Sequence, residues 1–247
     1  MPRLLVCATT AALVLGTLTV PAQAAATSAY GFAWDDGKGH LRVLPKSATR
    51  PTRTTHALKT RAGAKELRLD YTKAAYRRVT VACDLVETEG RVAVDGKGLG
   101  RTECATADLT ATLGRGPVPV RVEYRGGKAT RVSEILVPDR PAPRTAWGTI
   151  KRISDTAVEF APRGGGKKIK LGYTYATGFY RTTATCGDGW LAGKPVNAGK
   201  DGLGKKQCEW TDLTKALKSA RHPVLAQIGY SPNVDSLHEV WEFFGDA

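Results

Sequence analysis

The sequence predicts an α+β protein of two tandem small domains, each an antiparallel β-sheet with one short helix packed on it and one disulfide. Three observations predict this class: an internal duplication, a hydrophobic period of two, and four cysteines that fall as one equivalent pair per copy.

The duplication is the strongest of the three. Gly98-Leu99-Gly100-Arg101-Thr102-Glu103-Cys104 recurs as Gly202-Leu203-Gly204-Lys205-Lys206-Gln207-Cys208. In the same register Asp108-Leu109-Thr110 and Leu113 match Asp212-Leu213-Thr214 and Leu217, and Pro119-Val120 matches Pro223-Val224. Upstream, Leu67 to Thr72 corresponds to Ile169 to Thr174, and Arg78 and Cys83 fall on Arg181 and Cys186. That many positions kept in order imply two copies of one fold.

From the N-terminus, Met1-Pro2-Arg3, an apolar run from Leu4 to Val20 and the small residues up to Ala24 read as a secretory signal peptide over 1–24. The expected location is therefore secreted and extracellular, with no membrane span. An oxidising destination pairs Cys83, Cys104, Cys186 and Cys208. Four cysteines allow three pairings, and the repeat selects Cys83–Cys104 and Cys186–Cys208, each closing a loop worth about 3 kcal/mol.

The first domain is expected over 25–138. Alternation makes strands of Leu41-Arg42-Val43, Leu67-Arg68-Leu69, Val79-Thr80-Val81 and Val118 to Tyr124, with Val132 to Val137 returning after Gly126-Gly127. Leu109 and Leu113, spaced i, i+4, mark a helix with Thr106 as its N-cap and Gly114 as its stop. A basic loop is inserted over 46–65, carrying Lys46, Arg50, Arg53, Lys59, Arg61 and Lys65 and no acid. Pro138, Pro141 and Pro143 mark the boundary and make a stiff linker, taken as 139–145. The second domain, 146–247, repeats the pattern through Val158-Glu159-Phe160 and the helical spacing of Trp210, Leu213 and Leu217.

The order of strand, Cys, Gly-rich loop, Cys, Asp-Leu helix and Pro-Val hairpin resembles the Streptomyces subtilisin inhibitor family. The matching stretches are Val79 to Cys83, Cys104 to Leu109, Pro119-Val120 and Val132 to Ile135, repeated around Cys186, Cys208, Asp212-Leu213, Pro223 to Leu225 and His238 to Trp241. The resemblance implies a five-stranded antiparallel sheet with two helices, and inhibition of serine proteases by a rigid loop between the longer helix and the Pro-Val strand. Here the second cysteine pair of that family is absent. The loops shorten to Gly114-Arg115-Gly116-Pro117 and Lys218-Ser219-Ala220-Arg221-His222. Arg115, Lys218 and Arg221 are then the candidate inhibitory residues, suited to a protease with an acidic specificity pocket.

Enzyme signatures are missing: there is no Gly-x-Ser-x-Gly, His-Glu-x-x-His, Cys-x-x-Cys or phosphate-binding Gly-x-x-x-x-Gly-Lys-Ser/Thr. His238-Glu239 with Glu242 is the nearest approach to a metal pattern. Strand alternation sends His238 and Glu239 to opposite faces. No catalysis, cofactor or metal ion is expected. The expected partner is an extracellular protein, such as a serine protease or a protease-like fold. Two alternatives are a non-inhibitory adaptor and a cationic module held to anionic cell-wall polymer by the net charge of +14. Nucleic acid is not expected, because basic and aromatic residues do not interleave and the chain is exported.

Overall fold

The computed structural model describes residues 26–138, 143–232 and 234–244; the segment 1–24 expected to be a signal peptide and most of the expected linker lie outside them. In the first copy, β1 (Thr27–Asp35) pairs antiparallel with β2 (His40–Val43), and β2 pairs with β5 (Leu67–Asp70). β5 runs parallel to β9 (Lys128–Glu134), β9 is antiparallel to β8 (Val118–Arg125), and β8 returns to β1. Five strands therefore close into a ring. β6 (Ala75–Arg78) extends it beside β9, and β7 (Thr102–Cys104) pairs with β6. Helix α1 (Thr106–Arg115) connects this extension to β8.

The second copy repeats the ring with β10 (Arg144–Ser154), β11 (Ala157–Pro162), β12 (Ile169–Gly172), β16 (Ser236–Glu242) and β15 (Val224–Ser231). The extension is β13 (Gly178–Arg181) and β14 (Lys206–Cys208), followed by α2 (Trp210–Ser219). With the strands of each ring numbered in chain order, the third neighbours the fifth and the fourth closes on the first. That is the strand order of a five-stranded OB-type barrel. It says nothing by itself about a ligand.

The expected simple antiparallel sheet is thus corrected to a closed barrel. The third and fifth strands lie side by side in the same direction, an arrangement that needs the long crossover which the helix and disulfide loop supply. Closure leaves edges only on the appended strands outside each ring, such as β7 and β14. The barrel interiors hold Ala33, Leu41, Leu69, Val120 and Val132 in one copy and Ile150, Val158, Leu171, Ala226 and Val240 in the other, each at most 2% exposed. Each helix lays its two leucines, Leu109 and Leu113 or Leu213 and Leu217, on that interior. A buried leucine contributes about 1.5–3 kcal/mol.

Local chemistry explains the repeated motifs. Asp108 accepts the backbone N–H of Ala105 (2.9 Å) and Asp212 that of Glu209 (3.2 Å), so each Asp-Leu pair starts a helix and points its leucine inward. The N-cap is accordingly Ala105 rather than Thr106, and α1 passes Gly114 to end at Gly116. Gly100 and Gly204 lie against the backbone of Arg78 and Arg181, where a Cβ would meet the Arg78 carbonyl carbon at 2.6 Å and that of Arg181 at 2.5 Å. Val79-Thr80-Val81 is not a strand: the Val79 N–H is taken by the Glu134 carboxylate (2.9 Å), and the chain leaves the sheet there. Both disulfides form as expected, Cys83–Cys104 and Cys186–Cys208. They indicate an oxidising compartment. No helix among the described residues is long and apolar enough to cross a membrane.

The barrels dock on each other. Gly172 of the second copy sits against Trp34 and Arg42 of the first, which are 3% exposed. Ion pairs Lys170–Glu66 (2.5 Å) and Lys46–Asp235 (3.6 Å) and the Thr156 hydroxyl on the Asp35 carbonyl (3.2 Å) surround that contact.

Candidate binding grooves

Each copy holds a fully enclosed arginine–glutamate pair. Arg78 Nε donates to Glu134 Oε1 (3.1 Å), and Arg181 Nη2 donates to Glu242 Oε1 (3.1 Å), the second pair with both side chains 0% exposed. Each guanidinium then reaches forward into the disulfide loop. Arg78 Nη1 donates to the Cys83 and Leu85 carbonyls; Arg181 donates to those of Cys186, Asp188 and Gly189. Glu242 also accepts the Leu191 N–H (2.6 Å). The disulfide closes this loop and the buried charge pair holds its first residues, which form a braced wall.

A groove runs between that wall and the loop after the helix, in the same place in both copies. In the first it measures about 320 Å³, with Val86, Glu87 and Thr88 on one side and Arg115, Gly116 and Pro117 on the other. In the second it measures about 560 Å³, between Gly189-Trp190-Leu191 and Ser219 to Pro223. Trp190 stacks on buried Phe179 (5.8 Å) and forms part of the floor. Helix position is set from below by a repeated tether, Tyr71–Thr110 (3.1 Å) and Tyr173–Thr214 (2.9 Å). Burial pushes the Tyr173 phenol up to about 12, so it stays a neutral donor or acceptor.

Two of the three candidate inhibitory residues come to these grooves. Arg115 and Arg221 are exposed on their rims. Lys218 is turned away and ion-paired with Asp155 (3.1 Å); hydrogen bonds from Arg152 and Lys218 hold that carboxyl below its usual range. The copies are not equivalent in access. Arg115, Gly116 and Pro117 also line the cleft facing Thr177, Ser231 and His238 of the second barrel, whereas Arg221, His222 and Pro223 project into solvent.

The basic insert is a hairpin, not a loop: β3 (Lys46–Thr49) pairs with β4 (Ala57–Thr60). Lys46 is buried over the Phe32 ring and paired with Asp235. Arg50 donates to the Arg53 carbonyl (2.8 Å), and Arg50, Arg53, Lys59, Arg61 and Lys65 all face solvent. The weak metal pattern dissolves, because Glu242 is consumed by Arg181 and His238 binds the Ser231 hydroxyl (2.8 Å). Of the acidic residues in the first disulfide loop, Asp95 caps a turn by accepting the Lys97 and Leu99 N–H groups.

Sequence reasoning missed the groove walls, Val86 and Trp190-Leu191, because the copies share no residue type there. Glu134 and Glu242 are at equivalent positions near the end of each copy. Pairing each with the repeated arginine was the one signal that could have located the wall. Comparison with protein-family models, curated proteins and solved structures finds no match.

Proposed function

We propose that this chain is an exported binding protein of two tandem modules that grips protein partners in the duplicated groove. The observation that carries this reading is the recurrence of the same groove, walled by the same disulfide loop and buried ion pair and rimmed by a guanidinium, in copies that otherwise diverge. A braced wall lowers the ordering cost of binding. The likeness to subtilisin inhibitors makes a secreted serine protease the first partner to test. Arg221 on the free loop is the residue to enter its specificity pocket.

The test is titration of the purified protein into subtilisin-type and trypsin-type proteases at low and high salt, following initial rates and gel integrity. Salt-insensitive inhibition with the protein intact, lost in Arg221→Ala, supports the inhibitor reading. Absent inhibition, or inhibition lost as the protein is cleaved, overturns it and leaves an adaptor; inhibition unchanged in Arg221→Ala removes Arg221 from the contact. A second reading rests on the basic insert: five exposed cations on and beside one hairpin suit an anionic wall polymer, and such retention would fall steeply with salt.

A further inference from the structure

We propose that the second copy also carries a binding face for an uncharged, extended β-linked polysaccharide, built on Trp147, Gln227, Trp241, Tyr180 and Gln207. These five residues are direct cross-strand partners. Trp147 on β10 opposes Gln227 on β15, Gln227 opposes Trp241 on β16, Trp241 opposes Tyr180 on β13, and Tyr180 opposes Gln207 on β14. Their neighbours along the strands, among them Ala226, Val240 and Phe179, point into the barrel. The row therefore lies across the outer face, and none of its members is buried. Four strand spacings make it about 19 Å long, the span of several pyranose rings.

The same row in the first copy reads Tyr30, Arg121, Ser133, Arg77 and Glu103. It is charged and already engaged: Arg77 pairs with Glu103 and Arg121 with Glu123. Its aromatic end is covered by the protein itself. The basic hairpin folds over so that the His56 ring lies 5.5 Å from that of Tyr30, and the His56 N–H bonds to the Leu136 carbonyl (2.7 Å). The second copy has only Arg163 to Lys167 where the hairpin is inserted. The uncovered place is a hollow of about 420 Å³ lined by Trp147, Pro162, Arg163 and Phe243. A second hollow of about 430 Å³ continues it past Thr149 and Leu225. Where one copy fills this position with its own planar ring, the other leaves it open beside a tryptophan.

The chemistry of the row selects the occupant. Aromatic rings stack on the C–H faces of pyranoses, and side-chain amides can donate to and accept from neighbouring hydroxyls at once. Ring and amide alternate along Trp147, Gln227 and Trp241. The Trp147 ring is braced edge-on by Phe243 (4.8 Å) and the Trp241 ring is stacked by Tyr180 (5.4 Å), so both are held in place before a ligand arrives. The row carries no formal charge on a chain of net charge +14, which matches an uncharged polymer; Arg163 and Glu239 flank it. This site is separate from the grooves and stands or falls without them.

The experiment is retention of the purified protein on insoluble β-1,4-glucan and on insoluble β-1,4-linked N-acetylglucosamine polymer, at low and high salt. The proposal expects retention on at least one of them that salt does not remove. That retention falls about tenfold in Trp147→Ala and in Gln227→Ala, and is unchanged in Arg77→Ala at the matching row of the first copy. Gln227→Ala removes only a half-buried outer-face amide and guards against a folding defect. Retention on neither polymer, retention abolished by salt, or retention equal in all variants overturns the proposal. So does a dimer in sedimentation that Trp147→Ala dissociates, since the face would then be covered by a second copy.

Discussion

Replacing Glu242 by glutamine removes one charge from the most enclosed site in the molecule and almost no volume. The carboxylate accepts four hydrogen bonds, from Arg181 Nη2 (3.1 Å), the Thr182 N–H (2.9 Å) and hydroxyl (3.2 Å), and the Leu191 N–H (2.6 Å). An amide has one acceptor oxygen, so at least one of these donors meets an N–H₂ instead, and Arg181 is left as a buried charge without a counter-ion. Breaking such a pair costs about 3–5 kcal/mol. For a unit of roughly 100 residues that lowers Tm by about 12 °C or more. Thermal and urea unfolding of Glu242→Gln, Arg181→Met and the double variant, followed by circular dichroism, measure it. The double variant should cost clearly less than the sum of the singles, because neither then leaves a lone charge. A single-variant cost below about 1 kcal/mol, or additive costs, would show that the pair does not anchor the disulfide loop.

Two further outcomes probe the docking and the hairpin. At Gly172 a Cβ would stand 2.7 Å from the Trp34 ring, so Gly172→Val should push the barrels apart at a cost of about 1–3 kcal/mol, seen as a larger scattering radius and red-shifted tryptophan emission. Unchanged scattering would mean the barrels are held elsewhere. His56 has its pKa lowered, first by burial and then by Arg50, against a smaller opposing effect of Asp95. Its folded value lies below the unfolded one near 6.5, so its contribution is present above that pH and is lost as pH falls through the folded value. Hydrogen exchange of the His56 amide should therefore quicken on acidification from neutral pH, and His56→Gln should flatten that response; exchange independent of pH after correction for the intrinsic rate would refute it.

The primary sequence by itself determined the duplication, the cysteine pairing and most element positions. All three are local or repeated signals: an i, i+4 leucine pair, a period of two, and equivalent cysteines about 20 residues apart. Barrel closure was not legible, because Asp70 and Lys128, or Gly172 and Ser236, are brought together by a parallel bridge that alternation cannot distinguish from an antiparallel one. Of the site, Arg115 and Arg221 were visible as cations at the ends of helices, but whether each faces a groove, a cleft or solvent depends on how the barrels dock. The fate of Lys46 shows the same division. As a residue it is one more cation in a basic stretch, and only the second barrel, which brings Asp235 to it, makes it an internal group. Burial and partnership are properties of contacts between distant segments, and those contacts were set by tertiary packing alone.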